Sequence, residues 1–242
     1  MEDANDILEG LPPGVREAVT SHCEPFELRA GQILREQGDT LAWSHLPYRG
    51  VLAALTVLHD GRTVETGLIG REGATPTYLE SGPRASRRRL LALTDVEGCQ
   101  IRVEVLHALA MEHAELREAF DSYGAVIAKV GAESLACIAH HGAAARLARL
   151  LLRLQDRTGS TQLFLTQQQL ADLLAVQRTS VNEAAQALQA LEAIRYSRGR
   201  ILIRDREQLE RAACECYSGP PRRPDADHEK RPAIADRASR NQ

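Results

Sequence analysis

The chain has 242 residues, of which 43% are hydrophobic, so it can bury one large core or two small ones. Its net charge of -3 gives the chain as a whole no excess of positive charge that would indicate nucleic-acid binding. Its first ten residues lack the basic and apolar runs of a targeting peptide, and its longest mainly apolar stretch, residues 51–58, is too short to cross a bilayer. We therefore expect a cytoplasmic protein with no signal peptide, no membrane partner and reduced thiols, since the five cysteines form no CxxC pair.

The front of the chain, residues 25–102, consists of short apolar runs separated by turn signals. Such spacing is typical of many short strands in a sandwich or roll. The clearest turn is Asp60-Gly61, which lies between two apolar runs and predicts a β-hairpin. We assign residues 1–107 to a β-roll sensor domain.

After His107 the apolar residues alternate spacings of four and three, which is the pattern of a heptad seam. We assign residues 108–142 to a dimerisation helix, because a helix of about 40 Å is longer than its own domain needs. A core helix packed on the β-roll is the alternative, and the small and polar seam members weaken the coiled-coil interpretation. The predicted seam consists of Leu116, Phe120, Tyr123, Ile127, Val130, Ser134, Cys137 and His141.

Residues 143–217 have the periodicity of three helices followed by a hairpin. The first helix covers residues 143–157, and the second opens at Thr166, which can cap it while Gln169 completes a capping box. A turn of three residues leads to a third helix over residues 178–193, predicted to face inward with Val181, Ala184, Ala185, Leu188 and Leu191. Helix, tight turn, helix is the order of a helix-turn-helix.

The hairpin, residues 195–203, is predicted to be a β-wing with Arg198 and Arg200 at its tip. Residues 142–217 carry 11 arginines against 8 acidic residues, whereas residues 1–141 carry 13 basic against 21 acidic ones. Arginine makes forked contacts with phosphates and base edges, so we assign polyanion binding to a winged helix-turn-helix DNA-binding domain, residues 143–217. The remaining residues, 218–242, are polar and rich in Pro, Arg and Asp, and we expect a disordered tail.

The start of the second helix of a helix-turn-helix reaches base edges in the major groove. Arg can make two hydrogen bonds to guanine, Asn or Gln can make two to adenine, and Glu can accept a hydrogen bond from cytosine. An ordinary solvated helix is the alternative, but a helix pair, a wing and local positive charge together favour DNA. The candidate DNA-binding residues are Thr166, Gln167, Gln177, Arg178, Thr179, Ser180, Asn182, Glu183, Arg198 and Arg200.

These segments resemble the Crp/Fnr transcription regulators, relatives of the cyclic-AMP receptor protein. The resemblance rests on residues 165–171, 176–181 and 196–200 in the back half and, less specifically, on residues 28–39 in the front half. It implies an α+β fold with an N-terminal β-roll of the cyclic-nucleotide-binding jelly-roll type, a long dimerisation helix and a C-terminal winged helix-turn-helix.

The same resemblance implies a function in transcription rather than catalysis. It implies a homodimer on a palindromic operator, with double-stranded DNA and RNA polymerase as further partners. By the resemblance Arg178 is the principal base-reading residue, whereas Thr179 and Glu183 replace residues of the best-known members. We therefore expect a different operator sequence.

The chain departs from the family pattern at the effector site. Cyclic-nucleotide members hold the phosphate with a Gly-Glu-Leu turn and a later Arg-Ser pair. Here Arg71 stands where the ribose-contacting acid would be, so a cyclic nucleotide is not the expected effector. The adjacent run, residues 87–89, is either a solvated strand edge or part of an anion pocket. The candidate effector residues are Gly70, Arg71, Glu72, Gly73, Arg84 and Ser86.

Other chemistry has little support in the sequence. Cys23 is the only cysteine before Cys99, which excludes a four-thiolate iron-sulfur cluster near the N-terminus. Cys214 and Cys216 are one residue apart and by themselves form a poor tetrahedral site, and isolated histidines on helices, such as the His140-His141 pair, are commonly surface or core residues. We predict no metal and no cofactor.

Two alternatives to a DNA-binding regulator remain open. A metal-dependent enzyme on the β-roll needs clustered histidine and carboxylate ligands, but the strand region holds only His45 and His59 and no HxH pair. A protein-interaction module would use the winged helix to dock on a partner without direct DNA readout. The arginine-tipped wing argues against it.

Overall fold

A computed structural model describes residues 4–76 and 85–219 of the chain. Arg84 of the candidate effector set and residues 220–242 of the predicted tail lie outside these ranges. Two short helices come first and seven strands follow: α1 (Asp6–Gly10), α2 (Pro13–Thr20), β1 (Glu24–Leu28), β2 (Ile33–Arg35), β3 (Trp43–Arg49), β4 (Leu52–Val57), β5 (Thr63–Ile69), β6 (Arg89–Ala92) and β7 (Val96–Arg102).

The seven strands form two antiparallel sheets, with strand orders β1-β7-β3 and β2-β6-β4-β5. The predicted hairpin is confirmed, since β4 pairs with β5 from Leu52 opposite Ile69 to Val57 opposite Thr63. Gly61 turns the chain with a φ of 82°, a left-handed conformation that glycine adopts without a steric penalty. The sheets share a cluster of buried side chains: Phe26, Leu52, Ala54, Ile69, Leu90, Ala92 and Val96.

Two helices follow the roll, α3 (Val103–Glu112) and α4 (Ala114–His140). The helical region therefore starts earlier than predicted and is interrupted at His113, whose φ of -119° and ψ of 106° are those of extended backbone. Of the described helices, α4 alone has the length and composition to cross a membrane, with 22% of its most apolar window buried within the chain.

Most of the predicted seam of α4 is covered by the chain itself. Leu116, Phe120, Tyr123 and Ile127 are buried in a cluster with side chains of α1, α2, α3 and the first sheet, and Ser134 and Cys137 are also buried. This burial agrees with the alternative of packing on the β-roll, and the assignment of α4 as a dimerisation helix stays a prediction. A heptad period shows that one face of a helix is apolar, but it does not say what covers that face.

The rest of the described chain is a compact helical unit with a small sheet: α5 (Ala143–Thr158), β8 (Gln162–Phe164), α6 (Gln167–Leu174), α7 (Arg178–Ala190), β9 (Ile194–Ser197), β10 (Arg200–Ile203) and α8 (Arg206–Ala212). The sheet has the order β8-β10-β9, so the predicted wing hairpin gains a third strand. Leu191, predicted to face inward, is 50% exposed because α7 ends one residue earlier.

This helical unit packs directly against the β-roll. One apolar cluster contains Val51, Leu55 and Leu68 of the roll together with the buried leucines of α5 and α6. Two ion pairs cross the same contact: Arg153 Nη1 lies 2.9 Å from Glu65 Oε2, and Arg157 Nε lies 2.8 Å from Glu72 Oε1. All four of these side chains are nearly excluded from solvent, with exposed fractions between 7% and 11%.

Candidate functional sites

The helix-turn-helix begins with the capping box that the sequence predicts. The Thr166 hydroxyl accepts a hydrogen bond from Gln169 N at 3.2 Å, and Gln169 Oε1 accepts from Thr166 N at 2.9 Å. α6 ends at Leu174, and the next residue, Ala175, has a φ of 49°, which places it in the left-handed region. Val176 N donates to Ala171 O at 3.1 Å and closes the turn. These bonds satisfy backbone groups that would otherwise be unpaired at the two ends of α6.

One face of α7 is buried and the other is open. Val181, Ala184, Ala185 and Leu188 pack inward, as predicted. The candidate base-contacting residues lie on the opposite side: Gln177, Arg178, Thr179, Asn182 and Glu183 are exposed, and Ser180 is half-buried.

Arg178 is held by a residue that the sequence did not single out. Its Nε donates a hydrogen bond to Gln168 Oε1, and Gln168 Nε2 in turn donates to Asp172 Oδ1 at 2.6 Å. Gln168 and Asp172 are four residues apart on α6, a spacing at which helical side chains meet. That spacing is the signal that could have identified Gln168 as a positioning residue.

The wing lies beside the start of α6. Arg198 and Gly199 form its tip with φ values of 49° and 80°, and Leu165 N donates to Gly199 O at 2.8 Å. Arg200 Nη2 donates to Gln162 Oε1 at 2.6 Å, which orients its guanidinium along the small sheet. The structure thus brings Thr166 next to the wing tip, while Gln168 joins the same helix to Arg178.

The Gly70 to Gly73 turn of the candidate effector site is occupied by the protein's own side chains. Arg71 Nε lies 2.9 Å from Asp6 Oδ1, and its Nη2 lies 3.6 Å from Glu9 Oε2. Glu72, besides its ion pair with α5, accepts a hydrogen bond from Gly70 N at 3.3 Å.

Two more candidates of this region are buried. Gly73 lies so close to Tyr123 that an added Cβ would be 2.0 Å from the Tyr123 hydroxyl oxygen. Burial, followed by the charge of Glu72, raises the pKa of Tyr123, so this phenol stays neutral. Ser86 is also buried, and its hydroxyl donates to Arg88 O at 2.6 Å rather than to an open pocket.

Next to this turn lies a cleft of about 910 Å³ that is lined by residues of both the roll and the winged domain. Arg49, Arg71 and Arg157 contribute to its wall, together with Tyr48 and Phe164. Arg71 and Arg157 already pair with the carboxylates described above, and the carboxylate of Asp95 lines the same cleft.

Comparison with known proteins supports the same arrangement. A family model described as a Crp-like helix-turn-helix domain matches residues 145–212. No curated protein sequence matches the chain.

Solved structures resemble most of the chain. FixK2 from Bradyrhizobium japonicum has a TM-score of 0.67 and 17% sequence identity, over 79% of this chain and 98% of its own. The c-di-GMP responsive global regulator CLP of Xanthomonas campestris has the same TM-score and identity, over 79% of this chain and 99% of its own. A CRP family transcriptional regulator from Thermus thermophilus has a TM-score of 0.65 and 21% identity, over 78% of this chain and 96% of its own.

Proposed function

We propose that this chain, a DNA-binding transcription regulator of the Crp/Fnr type, works as a homodimer that reads a palindromic operator. The observation that carries the proposal is the exposed start of α7, where Arg178 is oriented by Gln168 beside an arginine-tipped wing. The described residues that line this surface are suited to binding rather than to bond making.

The roles on DNA follow from the side chains. Arg178 can donate two hydrogen bonds to a guanine, and Gln177 and Asn182 can each pair with an adenine, whereas Glu183 can accept from a cytosine. Thr166 and Gln167 at the start of α6 and the two wing arginines would contact phosphates, which position the protein without reading sequence.

The dimer would form through the outer face of α4. The inner face is covered by the protomer, but Ala125, Ala128, Ala132, Leu135 and Ala139 are exposed and recur at spacings of three and four. Leu135 is 70% exposed. Because this second stripe keeps a heptad register along the same long helix, a second copy of α4 is the occupant that fits it. Pairing there would present two recognition helices to major grooves about 34 Å apart.

Control by an effector would act through α5. The Gly70 to Gly73 turn contributes Glu72 to an ion pair with Arg157, so a ligand that competes for either group would shift the winged domain relative to the roll. RNA polymerase, in the cytoplasm, is the further partner that activation of transcription would need.

The test is selection of bound sequences from a pool of random duplexes at two salt concentrations. We expect the wild type to enrich a two-fold-symmetric site and Arg178→Ala to lose that enrichment. Arg211→Ala is the matched control, because Arg211 is an exposed arginine on α8 that pairs with Glu207. If the wild type enriches no sequence at either salt, with and without cell extract to supply an effector, the protein-interaction module replaces this proposal.

A further inference from the structure

Four residues that could ligate a metal meet where α4 ends. Cys137 and His141 come from the end of this helix, and Cys214 and Cys216 come from the segment after α8. Cys137 Sγ lies 3.4 Å from Cys214 Sγ, and Cys216 Sγ lies 3.6 Å from His141 Nδ1. All four candidate ligand atoms lie within 4.8 Å of one another.

We propose that Cys137, His141, Cys214 and Cys216 form a tetrahedral Zn²⁺ site. Zinc binds thiolate sulfur at about 2.3 Å and imidazole nitrogen at about 2.0 Å, so neighbouring ligand atoms of a zinc tetrahedron lie about 3.5 to 3.8 Å apart. The distance of 3.6 Å between Cys216 and His141 lies in that range, and the distance of 3.4 Å between the Cys137 and Cys214 sulfurs is slightly below it. Three cysteines and one histidine are a standard ligand set of structural zinc sites.

The surroundings of His141 fit the same ligand geometry. Its Nε2 lies 3.2 Å from Glu215 Oε2, while Nδ1 faces Cys216. A metal-bound histidine commonly donates its other ring N–H to a carboxylate, which fixes the tautomer and the orientation of the ring. Glu215 would supply that contact.

The charge nearby is a second, independent observation. Arg149 is buried, and among the described residues it has no carboxylate within ion-pair distance. Its Nε donates to Cys216 O at 3.2 Å, and its Nη2 is 3.5 Å from Ser134 Oγ. Burying a charged guanidinium costs free energy unless an anionic partner compensates its charge. Zn²⁺ with three thiolates and a neutral imidazole carries one negative charge and would provide it.

The sequence alone did not reveal this site. Cys214 and Cys216 by themselves form a poor site, and Cys137, which falls in the predicted seam of α4, is 77 residues before Cys214. The fold completes the ligand set by bringing the end of α8 against the end of α4.

The position of the site gives it a mechanical role. α4 ends at His140 and α5 begins at Ala143, so His141 belongs to the short link between the long helix and the winged domain. Zinc would tie this link to the C-terminal segment of the winged domain and fix the angle between them. This consequence for DNA binding rests on the proposed function, but the metal site does not.

The first test is the metal content of the full-length chain, freed of any affinity tag and purified with its thiols kept reduced. We expect one zinc per chain by elemental mass spectrometry, and the absorption bands of tetrahedral cobalt thiolate after exchange with Co²⁺. Cys137→Ser and Cys216→Ser should lose zinc, whereas Cys23→Ser, a cysteine far from the cluster, should retain it. Cys216→His, which keeps a ligand, should still bind cobalt with weaker thiolate bands, and it separates ligand loss from misfolding.

Two outcomes would overturn the site. One is wild-type protein that stays without zinc after incubation with zinc under reducing conditions. The other is a Cys137 to Cys214 disulfide, seen by intact mass in protein whose thiols were protected during lysis. Operator affinity before and after chelation is measured separately: zinc present without any effect of its removal would refute only the mechanical role, and zinc present without DNA binding would refute only the proposed function.

Discussion

Two residues, Gly73 and His45, are held in close contacts that make the stability of the protein sensitive to substitution or to pH. Gly73 is held against a phenol that is buried on all sides, and His45 is buried between Arg35 and the ring of Phe26. Neither constraint is visible in the local sequence, because each depends on a residue more than nine positions away.

Gly73→Ala should destabilise the protein. The added Cβ would lie 2.0 Å from the Tyr123 hydroxyl oxygen and 2.3 Å from Cζ, and a side chain that is 2% exposed cannot move aside without repacking. Overpacking of this kind typically costs about 1–3 kcal/mol. Urea unfolding measures it, with Gly14→Ala as control, since a Cβ at Gly14 meets nothing within 4 Å. Equal stability of the two variants would contradict the contact.

His45 should make the stability depend on pH below neutrality. Burial, followed by the positive charge of Arg35, lowers the pKa of His45 to about 3. In the unfolded chain the imidazole takes up a proton below about pH 6.5, whereas in the fold it stays neutral. The free energy of unfolding therefore falls as the pH is lowered from about 6.5 toward 3, by up to about 1.4 kcal/mol per pH unit. Above about pH 6.5, His45 makes no contribution to the pH dependence of stability.

The measurement is urea unfolding at neutral pH and at about pH 5. His45→Gln should show a smaller loss of stability than the wild type over this interval. His59→Gln, at an exposed position in the β4–β5 turn, should behave like the wild type. If all three proteins lose the same stability, His45 does not carry the effect.

Among the elements, those with local chemical signals were predictable from the sequence. The capping box of α6, the turn into α7 and the Asp60-Gly61 hairpin each depend on side chains a few residues apart, and the structure contains them. The orientation of α4 was not predictable in this way. Its inner stripe packs on the chain itself, and the exposed second stripe consists mostly of alanines, which carry little weight in a search for apolar periodicity.

Leu135→Glu should dissociate the proposed dimer. Leu135 is the largest side chain of the exposed stripe and is 70% exposed in the single chain, so a carboxylate there would be buried without a partner only if two copies meet. Analytical ultracentrifugation measures the oligomeric state. Leu58→Glu, at an exposed leucine at the start of the β4–β5 turn, is the control and should stay dimeric. A Leu135→Glu protein that remains a dimer would place the interface elsewhere.

In the whole molecule, the contact between the roll and the winged domain combines apolar packing with buried charge. Glu65 is on β5 and Arg153 on α5, 88 residues apart, so no sequence pattern could pair them. The same holds for Glu72 and Arg157. The fold class was therefore predictable, whereas the coupling between the two halves required the structure.

Glu65→Gln should destabilise the protein far more than an equivalent change at the surface. It leaves the buried Arg153 guanidinium without its counter-charge, and breaking such a pair typically costs about 3–5 kcal/mol. The matched control is Glu207→Gln, which breaks the exposed pair with Arg211 and should cost about 1 kcal/mol or less. Urea unfolding compares them, and similar small losses would show that the contact between the halves opens in solution.

The arginines of the back half divide into two groups that the composition could not separate. Of the 11 between residues 142 and 217, five are buried or half-buried and contact the protein itself: Arg146, Arg149, Arg153, Arg157 and Arg206. Six are exposed, and the Arg211 side chain already pairs with Glu207. Fewer counterions would then leave the DNA on binding than the arginine count suggests. The logarithm of the operator affinity should therefore fall only gradually with the logarithm of the salt concentration. The expected slope is about 0.9 for each phosphate neutralised.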